Sequence, residues 1–221
     1  MEIVPSQNQE KEVSVQKAII ITIAVAVITI LIATVIGYKF FWNTVSLKKE
    51  DVELNSIKSF IASQPNSVQG NLAMGSFYLK RNETQEALKW FKKAEALDKN
   101  SRVVKFNLGL AHLQMKDYDQ AVKYMEPLAK DTVFNYDANF YLGAAYYLKQ
   151  DYAKAIDRFK TAIIYNGGAA DARVLIAKAY YKSGDKKSAL EQLSKALAMV
   201  PNYDEALEVK KVIESNGKLN D

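Results

Sequence analysis

The chain has 221 residues, enough for one repeat array and an accessory element, with 30 Lys and Arg against 25 Asp and Glu and a net charge of +5. There is no cysteine and a single histidine, which excludes disulfides, a cysteine nucleophile and the usual zinc sites. Only Arg81, Arg102, Arg158 and Arg173 are arginines, and the lysines are interspersed with acids, so the basic balance reads as solvated helix surface and not as a nucleic-acid stripe.

Residues 1–17 are polar and lack an apolar stripe, and a short mobile tail is expected there. From Ala18 to Tyr38 no charged residue occurs in 21 positions, the length of helix that crosses a bilayer core of roughly 30 Å. The segment is apolar on every side, and Tyr38, Phe40, Phe41 and Trp42 follow as an interfacial aromatic cluster with Lys39. A cleaved signal peptide is the rival reading; its apolar region would be too long, and no small-residue cleavage site follows. Residues 18–42 are therefore expected to be a single transmembrane helix with its interface, placing the protein in a membrane of bacterial inner-membrane type. Ala33 and Gly37 form a small-xxx-small pair that either faces lipid or packs helix on helix. Lys11 and Lys17 on one side balance Lys39, Lys48 and Lys49 on the other, which leaves the side of the repeats open. Residues 43–67 are expected to hold a capping helix, Ser46–Ser63, with Leu47, Leu54, Ile57 and Ile61 near one face, read as the second half of a degenerate repeat. The short distance from Trp42 to this helix predicts an array close to the membrane surface.

Residues 68–203 then repeat every 34 residues, in units 68–101, 102–135, 136–169 and 170–203. The eighth residue of each is Gly75, Gly109, Gly143 or Ala177; the eleventh is Tyr78, His112, Tyr146 or Tyr180. The twentieth is always alanine (Ala87, Ala121, Ala155, Ala189), and the twenty-fourth is Phe91, Met125, Phe159 or Leu193. The twenty-seventh is Ala94, Leu128, Ala162 or Ala196. Positions 4, 7, 8 and 11 share one face of a first helix; positions 20, 24 and 27 share one face of a second. Small residues at 8 and 20 are expected to face each other, since backbones approach closely only where a side chain is tiny, with the residues at 11 and 24 filling the space beside them. Alanine at 27 makes room for the next unit's first helix. One hairpin cannot bury its apolar face alone, so the units are expected to stack. Asp117, Asp151 and Asp185 stand where the second helices should start and suit N-caps, with Glu83 in that place in the first unit. Pro201 falls just past a helix end. Pro127 is expected to shorten the second helix of the second unit and leave 131–136 irregular.

The strings NLAMGSFYLKRNETQEALKWFKKAEALDKN, FNLGLAHLQMKDYDQAVKYMEPLAKD, NFYLGAAYYLKQDYAKAIDRFKTAII and VLIAKAYYKSGDKKSALEQLSKALAMVPN resemble the tetratricopeptide repeat family. The resemblance implies an all-α solenoid of helical hairpins with four repeats and capping helices at both ends. The second unit departs most, with His112 at the aromatic place, Pro127 and Leu128. Residues 204–221 begin a fifth first helix, but Lys210 and Lys211 occupy the places of the large and small core residues, as a terminal cap requires.

No constellation for catalysis is found, and no enzyme, cofactor or metal is expected. His112 reads as a packed residue and the three repeat aspartates as caps. Gly167 and Gly168 lack the preceding strand of a phosphate loop, and Asn82-Glu83-Thr84 spells a glycosylation sequon in a turn. The family resemblance implies a concave groove lined by first-helix positions 2, 5, 9, 12 and 13. On this sequence that gives an apolar, aromatic inner face, with Leu72, Phe106, Leu110, Phe140, Tyr147, Lys178 and Tyr181 as the candidate partner-binding residues and Lys80, Lys178 and Lys182 at its edge. The chaperone-tail-binding branch clamps a carboxylate with a lysine and an asparagine at positions 5 and 9, and no unit here carries that pair. A peptide or helix with apolar anchors fits better. The leading expectation is a membrane-anchored scaffold that holds a protein or peptide partner. The alternative is a homo-oligomer or filament built by repeat stacking and packing of the N-terminal helix.

Overall fold

The computed structural model describes residues 27–39, 49–131, 133–166 and 169–219. The chain divides into two units, 1–56 and 57–221. In the first, residues 27–39 are helical (α1) and expose Val27, Ile28, Ile30, Leu31, Ile32, Val35 and Ile36. Among the described residues no helix is long and apolar enough to cross a membrane. The expected span is described only over 27–38; its first half, the aromatic residues Phe40–Trp42 and the expected tail 1–17 lie outside the described residues. Helix α2 occupies 49–63.

The second unit is a succession of hairpins. Its helices are α3 (Val68–Lys80), α4 (Thr84–Leu97), α5 (Arg102–Gln114), α6 (Tyr118–Met125), α7 (Asn135–Leu148), α8 (Tyr152–Tyr165), α9 (Ala170–Lys182), α10 (Lys186–Met199) and α11 (Asp204–Glu214). Each packs on the next, and the first helices of successive repeats also touch, α3 on α5, α5 on α7, α7 on α9 and α9 on α11. The all-α solenoid expected from the 34-residue period is the fold of these residues.

The large residue at position 24 makes the close contact with position 8 in each hairpin that has a glycine there. A Cβ built on Gly143 would lie 2.6 Å from the ring of Phe159, and one on Gly109 2.7 Å from Met125 Cγ. Gly75 stands in the same relation to Phe91. The missing side chain at position 8 thus receives the large residue at position 24. Phe91, Met125, Phe159 and Leu193 are all fully buried as a result, each worth about 1.5–3 kcal/mol of transfer free energy. The fourth unit keeps the same volume by another split, with Ala177 and Leu193 both in one core cluster.

A second complementarity joins neighbouring units. Position 27 meets position 3 of the next first helix: Ala94 and Val104 share one cluster, and Ala196 and Ala206 another. At the start of the array the sizes are exchanged. A Cβ on Gly70 would be 3.3 Å from the Phe60 ring and 3.0 Å from Ile61. Residues 57–63 of α2 therefore supply the second-helix surface of a leading half repeat.

Local chemistry sets the turns. Position 15 of every repeat has a left-handed backbone, with φ of 59° at Asn82, 63° at Lys116, 62° at Gln150 and 93° at Gly184. Asp117, Asp151 and Asp185 follow, and each side chain accepts the backbone N–H three residues on, at Gln120, Lys154 and Ser188. Glu83 caps α4 without a side-chain bond and instead pairs with Arg81 at 2.7 Å. In the second repeat α6 stops at Met125 and a single 3-10 turn, Glu126–Leu128, replaces its last turns, because Pro127 has no N–H and clashes with the preceding turn. Asp131 gathers the chain behind it by accepting from the N–H groups of Val133 and Phe134 at 2.8 and 3.3 Å, and its carboxylate pairs with Arg102 at 2.7 Å. Asn139, fully buried, donates to the carbonyls of Ala129 and Asn135 and ties this irregular stretch to α7.

α11 closes the array. It buries Ala206, Val209 and Ile213, which are positions 3, 6 and 10, and turns Lys210 and Lys211 away from the core. Positions 7 and 8 of α11 thus carry charge where the repeats carry core residues.

Gly143→Ala is expected to destabilise the array by about 1–3 kcal/mol, the cost of overpacking. Adding Phe159→Leu should recover most of that loss, because it recreates the Ala177–Leu193 pair; chemical denaturation of the two single variants and the double variant measures the coupling. Gly184→Ala should cost about 1 kcal/mol through left-handed strain alone, with no loss of packing, and Gln150→Gly should leave stability unchanged or raise it in the same assay.

Candidate functional site

The face built by the first helices carries an aromatic cluster at its middle. Phe106 on α5 and Phe140 on α7, both at position 5, are half-buried, and Tyr141 stands between them, with ring centroids 5.8 Å from Phe106 and 5.5 Å from Phe140. Phe134 lies 5.2 Å from Phe106, and Tyr136 5.9 Å from Phe140. Phe140 also touches the core ring Phe159 at 5.7 Å, so its inner edge is anchored while its outer edge reaches solvent. Ring pairs at these separations are worth about 0.5–1.5 kcal/mol beyond the area they bury.

The sequence pointed to Phe106 and Phe140 but missed Phe134 and Tyr141. Phe134 belongs to no helix and reaches this place only because Pro127 ends α6 early. Tyr141 is at position 6, outside the lining set that the family pattern implies. Its signal was available as a tyrosine next to Phe140 where the other repeats have Ala73, Asn107 and Leu175.

Acids frame the cluster. Position 2 is Asp137 on α7, Asp171 on α9 and Glu205 on α11, all exposed. The Tyr136 hydroxyl points to the Asp171 carboxylate at 3.5 Å. Burial, together with the charges of Asp171 and Asp137, pushes the Tyr136 phenol up to about 12. Burial and the same two carboxylates raise Tyr141. Tyr203 donates to Glu205 at 3.0 Å and is likewise raised to about 12, by burial first. These phenols therefore remain neutral hydrogen-bond donors at any physiological pH.

The other expected groove residues are placed differently. Leu72 packs on the cluster of Phe91 and Leu108, and Leu110 on that of Met125 and Leu142. Tyr147 is only 9% exposed, with its ring 5.7 Å from Tyr152, so it belongs to the third hairpin's core and offers little surface to a partner. Lys178 pairs with Glu205 at 2.6 Å, which holds the Glu205 carboxyl below its ordinary range. Tyr181 donates to the carbonyl of Gly217 at 2.9 Å. At the fourth repeat the lining residues are thus engaged by α11 and the segment after it.

His112 Nδ1 lies 3.2 Å from Asp117, and its ring stacks on Tyr124 at 5.5 Å, the arrangement of a packed residue at a capped turn. Among the described residues no group of three or more His, Cys, Asp or Glu is placed to hold a metal ion.

Three tetratricopeptide repeat family models match the chain, over residues 72–103, 106–170 and 146–211. No curated protein matches it by sequence. Among solved structures it is similar to YrrB, described as a TPR protein with an unusual peptide-binding site, at 20% identity and TM-score 0.64, over 75% of this chain and 86% of that one. It is similar to MamA at 24% identity and TM-score 0.63, over 71% and 91% of the two chains. It also resembles a chain of the APC/C hetero-tetramer Cut9–Hcn1, at 20% identity and TM-score 0.61, over 66% of this chain and 30% of that one. At these identities the likeness is one of fold. With the hairpin succession, the 34-residue period and the family matches in agreement, residues 72–211 of this chain are an array of tetratricopeptide repeats.

Proposed function

We propose that this protein is a membrane-anchored scaffold whose repeats hold a protein or peptide partner on the face built by the first helices. The observation that carries the reading is the half-exposed cluster of Phe106, Phe134, Phe140 and Tyr141. Apolar rings with an anchored inner edge and a wet outer edge suit the anchor residues of a partner helix or extended peptide. The acids at position 2 favour a partner with basic residues beside its apolar anchors. The peptide-binding site in the name of YrrB, on the same fold, supports a peptide as the occupant. The anchor rests on the uncharged run from Ala18 to Tyr38, part of which is helical with exposed apolar side chains. Tethering would raise the partner's effective concentration at the membrane without adding contacts.

Self-assembly by end-to-end stacking is the second reading. The charged outer face of α11, with exposed Lys211 and with Lys210 turned from the core, works against stacking at that end.

Crosslinking in native membranes should capture a protein partner, and Phe106→Ala/Phe140→Ala in the full chain should reduce capture at least tenfold while helix content by circular dichroism is kept. Equal capture by a folded double variant would exclude the groove. The full chain should stay with the membrane through alkaline carbonate extraction and be released by deletion of residues 1–42; extraction of the intact chain would exclude the anchor.

A further inference from the structure

The segment after the last helix stays on the array. α11 ends at Glu214, and the chain turns at Asn216, with φ 54°. Lys186 Nζ holds this turn through the Glu214 carbonyl at 3.1 Å and Asn216 Oδ1 at 2.8 Å. The chain then crosses α9. Tyr181 Oη donates to the Gly217 carbonyl at 2.9 Å, and Lys182 Nζ to the Leu219 carbonyl at 3.5 Å. Leu219 is 5% exposed and lies in the same core cluster as Val209 and Ile213. Beside it a cavity of about 190 Å³ remains, bordered by Lys178, Glu205, Glu208 and Val212.

These contacts fall on groove positions. Lys178, Tyr181 and Lys182 are positions 9, 12 and 13 of the fourth repeat; Glu205, Glu208 and Val212 are positions 2, 5 and 9 of α11. Leu219 joins a core that Ala206, Val209 and Ile213 of α11 also line. Its mode of attachment is that of a bound peptide. Two donors on adjacent residues of one helix take carbonyls two residues apart, while the Asn216 and Gly217 N–H groups return to the Ile213 and Val212 carbonyls of α11. One leucine, Leu219, enters the apolar core beside Val209 and Ile213.

We infer that the groove at the fourth repeat is a peptide site already occupied in cis: it accepts a segment with a small residue, a basic residue and a leucine in that order, and residues 217–219 must leave before a partner's segment of that chemistry can enter. Tyr181 and Lys182 hold the main chain, which makes the site tolerant of sequence except at the leucine. Glu205 and Glu208 border the cavity and favour the basic residue. A tether this short gives the internal segment an effective concentration in the millimolar range, so a free peptide binds weakly to the intact chain. The inference rests on the groove reading above only for the choice of face.

The test is fluorescence polarisation with a labelled peptide SNGKLND, titrated with three forms of the protein: the intact chain, the chain ending at Ser215, and the full chain with Leu219→Asn. The shortened chain and the Leu219→Asn chain should bind the peptide at least tenfold more tightly than the intact chain. Replacing the leucine of the peptide by alanine should remove that gain, and Tyr181→Phe in the shortened chain should weaken binding several-fold. If shortening compromises the fold by circular dichroism, the Leu219→Asn chain decides the matter. Binding by a folded, tail-released form that is no tighter than by the intact chain would overturn the inference while leaving capture through Phe106 and Phe140 untouched. Loss of that capture alongside intact peptide binding would instead count against the scaffold reading alone.

Discussion

The array depends on one contact, the seating of a large side chain from each second helix on a bare or nearly bare backbone of the first. Gly75, Gly109 and Gly143 leave the space that Phe91, Met125 and Phe159 fill, and Ala177 with Leu193 divides the same volume differently. Interiors pack at crystal-like density, so the geometry of the hairpin follows from this fit. Everything further out inherits it. The crossing of the two helices fixes where position 27 presents itself, that position receives the next first helix, and the repetition of the step lines up the first helices on one face. Cross-repeat ion pairs such as Arg158–Glu126 at 2.8 Å decorate the result; partly exposed pairs of this kind contribute little beside the buried rings.

The break in the period is as informative as the period. Pro127 removes a backbone donor from α6, and the chain between Leu128 and Asn135 must satisfy its polar groups by other means. Asp131 and Asn139 supply them. The consequence is that Phe134 is delivered to Phe106, whose ring also meets Tyr141, on the face where the first helices meet. The irregular second repeat and the third repeat after it thereby build the aromatic part of that face together, Phe106 and Phe134 from one and Phe140 and Tyr141 from the other.

The two ends of the array are finished by opposite devices. At the start, Phe60 lies over Gly70, which exchanges the sizes found at later junctions and lets residues 57–63 act as a half repeat. At the end, α11 substitutes charge for the core residues it does not need, and the segment 217–219 folds back over the fourth repeat's lining residues. The middle of the face is left as the part with half-exposed rings and acids around them, whose phenols stay neutral because burial and neighbouring carboxylates oppose ionisation.

The repeat register, the positions of both helices in each unit, the aspartate caps, the shortening at Pro127 and a further helix from residue 204 were legible in the sequence, because each follows from local chemistry repeated at a fixed interval. Two levels of packing were not. Gly143 was expected opposite Ala155 with Phe159 filling the space beside them; that the Phe159 ring sits directly on Gly143 depends on the axial offset between two helices, which periodicity does not give. Positions 3 and 10 were absent from the expected core, although Val104, Ala138, Ala172 and Ala179 are fully buried, because their partners belong to the neighbouring repeat. The groove was legible least. Tyr147, Lys178 and Tyr181 carry the right residue types at the right positions, but whether such a side chain meets solvent, core or the chain's own continuation is decided by elements distant in sequence. Local spacing determines what each helix offers; only the assembled array determines what is left uncovered.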